Sequence, residues 1–247
     1  MKEYTEYRPF LTQLIADKFF IYGEYSKKNS IFNKITKEQL VISGCGRYDI
    51  LFNDIEKTEK KYILLMSSRM PKNGFSYFLS NNVALEWEKM VTSVFAALKE
   101  VNEDVIIKRH PTAIEDIDSQ VLAKKFLPDV KIYKNKNTYN LLAKAKLVIS
   151  PLSSVITEAI ILDKPVIIPM YIKNDLGVPY AATNSVLTID KPEDALSVIK
   201  KALYDDKVKA ELKIGRERFL KENFEYRGNA TEKTIEVINE ILKNKKN

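Results

Sequence analysis

Lys146-Leu-Val-Ile-Ser150-Pro-Leu-Ser153-Ser154-Val-Ile-Thr-Glu158-Ala-Ile-Ile-Leu-Asp163-Lys-Pro165-Val-Ile-Ile-Pro169 is the stretch on which the fold turns. A short apolar strand ends at Pro151 and two hydroxyl residues follow it. A helix of about two turns then runs to Asp163, and a second apolar strand opens at Pro165. This is a βαβ unit, and it sets the start of a helix at the carboxyl edge of a parallel sheet. Helix starts expose unbonded N–H groups and the positive end of a dipole, which is where such folds hold phosphate. Ser153 and Ser154 fit either an ordinary N-cap pair or hydroxyl donors to an anion. The segment alone leaves both readings open.

Outward from this unit the alternation is regular from Lys61 on. Strands are expected at Tyr62–Ser67, Asp104–Lys108, Val130–Tyr133, Leu147–Ser150, Val166–Pro169 and Ser185–Ile189. Helices are expected at Asn82–Val101, Ile117–Phe126, Thr138–Lys144, Ser154–Leu162, Pro192–Tyr204, Asp206–Asn223 and Thr231–Lys243. Short apolar strands alternating with helices predict an α/β fold, a doubly wound parallel sheet covered on both faces. Leu85, Trp87, Val91, Val94, Phe95 and Leu98 recur at helical spacing and read as a core-facing stripe. The residues before Lys61 are organised differently. Ala16–Gly23 reads as a strand, Tyr25–Ile35 as a helix and Gln39–Ser43 as a second strand. Gly44-Cys45-Gly46 then breaks the chain as a turn or hinge before Arg47-Tyr48-Asp49.

Composition narrows the function. The 247 residues are 45% hydrophobic and 30% charged, enough for a sizeable core. No stretch reaches the ~20 apolar residues that span a bilayer. The opening Met1-Lys-Glu-Tyr-Thr-Glu-Tyr-Arg8 carries no apolar run after its basic residue, so no secretory signal is expected. The single cysteine, Cys45, cannot form an internal disulfide, and the single histidine, His110, excludes a multi-histidine metal site. A cytoplasmic protein is the expectation. The net charge of +7 comes mostly from lysine and reads as solvated helix faces. No basic run interleaved with aromatics points to nucleic acid.

A second constellation is Val105-Ile-Ile-Lys108-Arg109-His110-Pro111-Thr112. An apolar strand ends and at once presents Lys, Arg and His, with Pro111 forcing an extended exit. Such a group suits a nucleotide phosphate, and arginine's fork suits it bidentately; the alternative is a surface turn. In a doubly wound sheet this turn and the serine pair both lie at carboxyl strand ends and can line one crevice. Glu158 falls one helical turn below Ser154, where a carboxylate can accept hydrogen bonds from ribose hydroxyls or else face solvent. Ser67-Ser68-Arg69, at the end of the first core strand, is a further candidate for ligand contact or an ordinary loop.

The order of these segments resembles the nucleotide-binding, C-terminal half of a GT-B glycosyltransferase. The relatives it is similar to are bacterial capsule and lipopolysaccharide transferases, CDP-glycerol glycerophosphotransferases and the UDP-N-acetylglucosamine 2-epimerase group. The matching pieces are Gly44-Cys-Gly-Arg47-Tyr-Asp49, Arg109-His110-Pro111, Ser153-Ser154 with Glu158-Ala159, Lys164-Pro165-Val-Ile-Ile-Pro169, and the closing Phe224-Glu-Tyr-Arg-Gly228-Asn-Ala-Thr. The resemblance covers roughly residues 10 to 242. It implies a Rossmann-like domain at 46–227, preceded at 1–45 by the end of an N-terminal domain with its hinge, and followed at 228–247 by a closing helix. It further implies that Arg109, His110 and Pro111 meet the donor's phosphates, that Ser153 and Ser154 bind phosphate, and that Glu158 binds ribose, with Ser67 and Ser68 as further donor contacts.

The activity so implied is transfer from a nucleotide-activated sugar, CMP- or UDP-linked, in bacterial surface polysaccharide synthesis. No cofactor and no metal are expected, because the resemblance implies a metal-independent transferase. The partners implied are the nucleotide sugar and a glycan or lipid-linked acceptor, with at most peripheral contact to the inner face of the plasma membrane; either the chain is a fragment, or a partner chain supplies the N-terminal domain. Little or no transfer is expected of the isolated chain. A CDP-glycerol-type phosphotransferase, an epimerase-like enzyme and a non-catalytic nucleotide-sugar-binding module are the alternatives. The epimerase ranks lower because Ser153-Ser154-Val155 stands where those enzymes carry glycines, and the chain has no second histidine. A dinucleotide oxidoreductase needs Gly-x-Gly-x-x-Gly after the first strand. Here Asp49 stands where the third glycine belongs.

Overall fold

In the computed structural model, residues 16–28, 36–55, 61–67, 81–110, 117–170, 180 and 182–244 are described. The chain forms two compact units, Ile55–Phe219 and a discontinuous one made of Met1–Asp54 with Leu220–Asn247. In chain order the elements are β1 (Phe19–Ile21), α1 (Glu24–Lys28), β2 (Leu40–Ile42), α2 (Asp49–Asn53), β3 (Tyr62–Met66), α3 (Asn81–Val101), β4 (Val105–Lys108), α4 (Ile117–Phe126), β5 (Lys131–Tyr133), α5 (Thr138–Ala143), β6 (Ala145–Ile149), α6 (Val155–Ile161), β7 (Val166–Pro169), β8 (Leu187–Ile189), α7 (Ala195–Tyr204), α8 (Asp206–Asn223) and α9 (Ala230–Asn244). Among the described residues no helix is long and apolar enough to cross a membrane.

The larger unit holds a six-stranded sheet in the order β5-β4-β3-β6-β7-β8, parallel throughout. The chain starts in the middle at β3, winds out to β5, returns to β6 and winds out the other way. This reversal between β3 and β6 is the doubly wound pattern expected from the sequence, and it leaves a crevice outside the carboxyl ends of these two strands. Ile63, Leu64, Leu147, Val148 and Ile149 are fully buried because helices cover both faces of the sheet. On one side α3 packs against α4 and α7, and on the other α5 packs against α6.

Trp87, Val94, Phe95 and Leu98 of α3 face this core as expected, but Leu85 is 54% exposed. At about 100° per residue, Leu85 lies on the opposite side of the helix from the line through Trp87, Val94 and Leu98. Spacing within a window, without the angle, had drawn it into the stripe.

Near the amino edge of the sheet, Glu103 accepts hydrogen bonds from Lys146 Nζ and Tyr204 Oη. The bond from Lys146 holds its carboxyl below the ordinary value of 4.5, outweighing the opposing effect of burial. A carboxyl held low in the fold adds stability that is complete above the ordinary value and is lost as pH falls through the lowered one. Lys146→Met is therefore expected to unfold below wild type at neutral pH, with the gap closing as pH drops below 4.5. Unfolding midpoints of the two proteins across that range check this, and a gap independent of pH would refute it.

In the discontinuous unit, β1 and β2 pair in parallel, Phe19 opposite Leu40 and Ile21 opposite Ile42. Tyr22, Tyr48 and Phe224 form a ring cluster with centroids 5.5–6.4 Å apart. A short helix, α2, follows the Gly44–Gly46 turn, where no helix was expected. Gly44 has φ +76°, and a Cβ there would strike the Glu225 carbonyl and the Ala230 methyl. The glycine thus answers to both its backbone angle and the close approach of α9. Asp49 completes the arrangement: its carboxylate accepts the N–H of Ala230 at 3.0 Å and of Thr231 at 2.8 Å, capping α9.

Candidate functional site

Three neighbouring strands bring the expected residues to one edge. The parallel ladder continues one residue past each strand: Ser67 N–H donates to Lys108 O at 3.0 Å, Arg109 N–H to Tyr133 O at 2.8 Å and Ser150 N–H to Ile167 O at 3.0 Å. These bonds fix the exits of β3, β4 and β6 side by side. In the chain the Arg109–His110 turn and the serine pair are separated by β5 and α5. In space the strand between them is β3, which carries Ser67, while β5 lies at the sheet's edge. Pro111, Ser68 and Arg69 lie outside the described residues.

At the exit of β6, Ser150 is fully buried and its Oγ donates to Pro151 O at 2.9 Å, 3.4 Å from Ser153 Oγ. Ser153 Oγ accepts the N–H of Val155 at 3.3 Å. Ser154 occupies the N-cap position of α6 but makes no side-chain cap. Of the two serines, Ser153 therefore does the local capping, and both side chains are exposed at the mouth of the crevice.

Glu158 is 2% exposed, so the solvent-facing alternative does not hold. A buried carboxylate needs compensating donors. Its charge is felt by Tyr180, whose hydroxyl lies 2.7 Å from Thr157 Oγ1. Burial pushes the Tyr180 phenol above 10.0, the Thr157 bond works against this, and the Glu158 charge raises it further. Tyr180 also packs on Phe219 with ring centroids 5.1 Å apart. Neither Thr157 nor Tyr180 was singled out in the sequence, since nothing local links residue 157 to residue 180.

The exit of β4 presents an exposed His110, a half-buried Arg109 and a buried Lys108. Lys108 is 4% exposed, and its Nζ donates to Arg109 O at 2.8 Å and Lys134 O at 2.9 Å. It thereby ties the exits of β4 and β5 together. Beside these groups, at the exit of β3, Ser67 Oγ is buried with no hydrogen-bond partner among the described residues. An orphaned hydroxyl of this kind calls for an explanation. Ser67 also lines an apolar cavity of about 40 Å³ with Leu65, Met66, Trp87, Phe95, Ile107, Ile149 and Pro151, and Gln120 is its other polar neighbour.

The sequence matches no protein-family profile and no curated protein. Solved structures do resemble the chain. The structure of MnaA from S. aureus with UDP superposes with a TM-score of 0.67 at 15% identity, over 92% of this chain and 61% of that one. A UDP-N-acetylglucosamine 2-epimerase gives 0.61 at 17% identity, over 91% and 57%. The wall teichoic acid polymerase TagF gives 0.56 at 16% identity, over 93% and 58%. This chain spans less than two thirds of the length of each. At such identities the likeness speaks for the fold.

Proposed function

We propose, for a chain that shares the GT-B fold of glycosyltransferases and sugar-nucleotide epimerases, that the crevice at the exits of β3, β4 and β6 binds the nucleotide end of an activated sugar. The observation that carries this reading is the strand order. It sets Ser67, the Arg109–His110 turn and the Ser153–Ser154 turn on three consecutive strands at the reversal of the sheet, where such folds take their ligands. The buried Ser67 hydroxyl, without a partner among the described residues, supports it.

In the transfer so proposed, an acceptor hydroxyl attacks the anomeric carbon of the donor sugar, its proton is released, and the nucleotide leaves with the electron pair of the broken C–O bond. Negative charge then grows on the leaving phosphate, and fixed positive groups at that point lower the barrier. Arg109 supplies such a group and His110 a hydrogen-bond donor on one side, and the Ser153 and Ser154 hydroxyls supply donors on the other, with charge neutralised by side chains rather than a metal ion. Glu158, below the serines, is assigned to the ribose hydroxyls. Pro111 and Ser68 belong to the same proposal as neighbours of these contacts.

The donor is proposed to be a CMP- or UDP-linked sugar, the acceptor a glycan or lipid-linked sugar, and the product a surface polysaccharide. MnaA is seen with UDP, and TagF after a soak with CDPG, which supports a pyrimidine nucleotide. Transferase is preferred to epimerase because His110 is the only histidine and stands in the phosphate-facing turn. The protein is placed in the cytoplasm, where nucleotide sugars are made.

Thermal shift and calorimetry with CMP, CDP, UMP, UDP and NAD test this. Cytidine or uridine nucleotides should raise the unfolding midpoint in proportion to their saturation, and quench or shift the emission of Trp87, the sole tryptophan. His110→Ala should weaken binding by about 1–3 kcal/mol, the cost of leaving a charged partner unmade. Absence of stabilisation by every pyrimidine nucleotide at millimolar concentration, or equal stabilisation by NAD, would sink the proposal.

A further inference from the structure

We infer that Tyr180 is a positioning residue for ribose recognition, whose phenol clamps the first turn of α6 through Thr157 and so fixes where the neighbouring Glu158 carboxylate points. The inference rests on the donor-site reading for its ligand, and it adds a residue from beyond β7 that reading does not contain.

The first ground is how loosely α6 is bonded where the ligand is placed. The helix has seven residues, Val155–Ile161, too few to hold its shape by its own hydrogen bonds. Those of its first turn are long. Val155 N–H reaches Ser153 Oγ at 3.3 Å, Ile156 N–H reaches Ser153 O at 3.2 Å and Glu158 N–H reaches Ser154 O at 3.3 Å. Bonds of this kind usually measure about 2.9–3.0 Å. The bond between the Thr157 and Tyr180 hydroxyls measures 2.7 Å, the usual length for its kind, and both residues are buried. A turn so weakly closed from within is held from outside.

The second ground is that Tyr180 is itself fixed. Its carbonyl accepts the Ser185 N–H and the hydroxyls of Thr183 and Ser185, each at 3.1 Å. Its ring packs on Phe219 with centroids 5.1 Å apart. The turn that follows it is pinned by α8, which comes so close that a Cβ at Gly215 would lie 2.1 Å from Asn184 O. A side chain needed only to fill this space would be phenylalanine, because burying a hydroxyl costs free energy that its bond must repay. The bond instead fixes Thr157. Glu158 is the next residue, about 100° further round the helix, so the rotation that sets one sets the other. A carboxylate meeting ribose hydroxyls depends on that direction, whereas the Ser153 and Ser154 hydroxyls turn about their own bonds to follow a phosphate. Loss of the clamp should therefore be felt at the ribose.

The test uses UDP and 2′-deoxy-UDP with the whole chain as wild type, Tyr180→Phe, Thr157→Val and the double variant. Calorimetry measures the two affinities, and thermal unfolding without ligand measures the fold. Wild type is expected to prefer UDP about tenfold, as for one hydrogen bond to a charged group. Tyr180→Phe keeps the ring on Phe219 and Thr157→Val keeps the branched shape. Each is expected to cut the preference to roughly a third or less, by weakening UDP and leaving 2′-deoxy-UDP near wild type. The double variant should fall no further than either single one, since all three lack the same bond. A tyrosine that only supports the fold would weaken both nucleotides alike. That result, or the full wild-type preference in a folded variant, would overturn the inference, and Thr157→Val decides the matter if Tyr180→Phe does not fold. The donor-site reading fails separately, in the wild type: binding of neither nucleotide removes that reading and this inference with it, whereas an unchanged preference in the variants removes this inference alone.

Discussion

Asp163→Ala is expected to destabilise the protein by about 3–5 kcal/mol, the range for leaving a buried charge unpaired, and to cost more than Arg216→Ala. The asymmetry follows from exposure. Arg216 Nε and Nη2 both donate to Asp163 Oδ1, at 2.9 and 2.6 Å. The arginine side chain is 5% exposed and the aspartate 39%. Without Asp163 the guanidinium stays buried with no counter-charge. Without Arg216 the carboxylate turns to water, and the loss is that of two hydrogen bonds and some packing, about 1–3 kcal/mol. Asp163 also has φ +55°, a left-handed conformation in which alanine is strained and asparagine is at ease. Asp163→Asn therefore separates the charge from the backbone. Urea unfolding of the three variants, read from midpoints at constant slope, checks the order. An Arg216→Ala protein less stable than Asp163→Ala would contradict it. The pair matters to the site because Asp163 follows α6, whose other end carries Ser153 and Ser154.

Trp87→Ala is expected to cost about 3–5 kcal/mol as well, the usual range for deleting a large aromatic from a core. Trp87 is 2% exposed and already borders a cavity of about 40 Å³. Its removal joins new space to old between α3 and the sheet, where Ile107 and Ile149 stand on strands and cannot move in to fill it. Trp87→Phe fills most of the volume and should cost much less. Circular dichroism during urea unfolding reads both variants, since the mutation removes the fluorophore. A loss below about 1 kcal/mol would mean that α3 is free to settle onto the sheet, against the close packing that interiors normally show.

Much of the larger unit was legible in the chain. Every strand expected between residues 62 and 189 is found, in one parallel sheet, because each is a short apolar run bounded by turn residues. What could not be read was lateral order and depth. Apolar runs alone do not say that β3 lies between β4 and β6, so Ser67 stood as a lesser candidate although it occupies the middle of the edge. Glu158 and Lys108 carry charges, and a charge in a sequence reads as solvent-facing until the fold shows what lies over it. Both are buried. Asp163–Arg216 and Asp49–α9 join residues far apart in the chain, and no local pattern announces such partners. The turn at Gly44–Asp49 was legible as a special backbone, but its reason, the approach of α9, was not.

The cap that Asp49 places on α9 spans 181 residues of chain. During synthesis the amino-terminal part of that unit leaves the ribosome long before its closing helix exists. The larger unit, whose strands and helices follow one another without interruption, can assemble in the meantime. The smaller one must wait, with Gly44, Asp49 and the β1–β2 pair exposed to whatever else is near, until the last helix arrives. Closing so long a loop is entropically dearer than any step within the sheet. The order of maturation is thereby written into the topology: the six-stranded sheet forms first, and the discontinuous unit last.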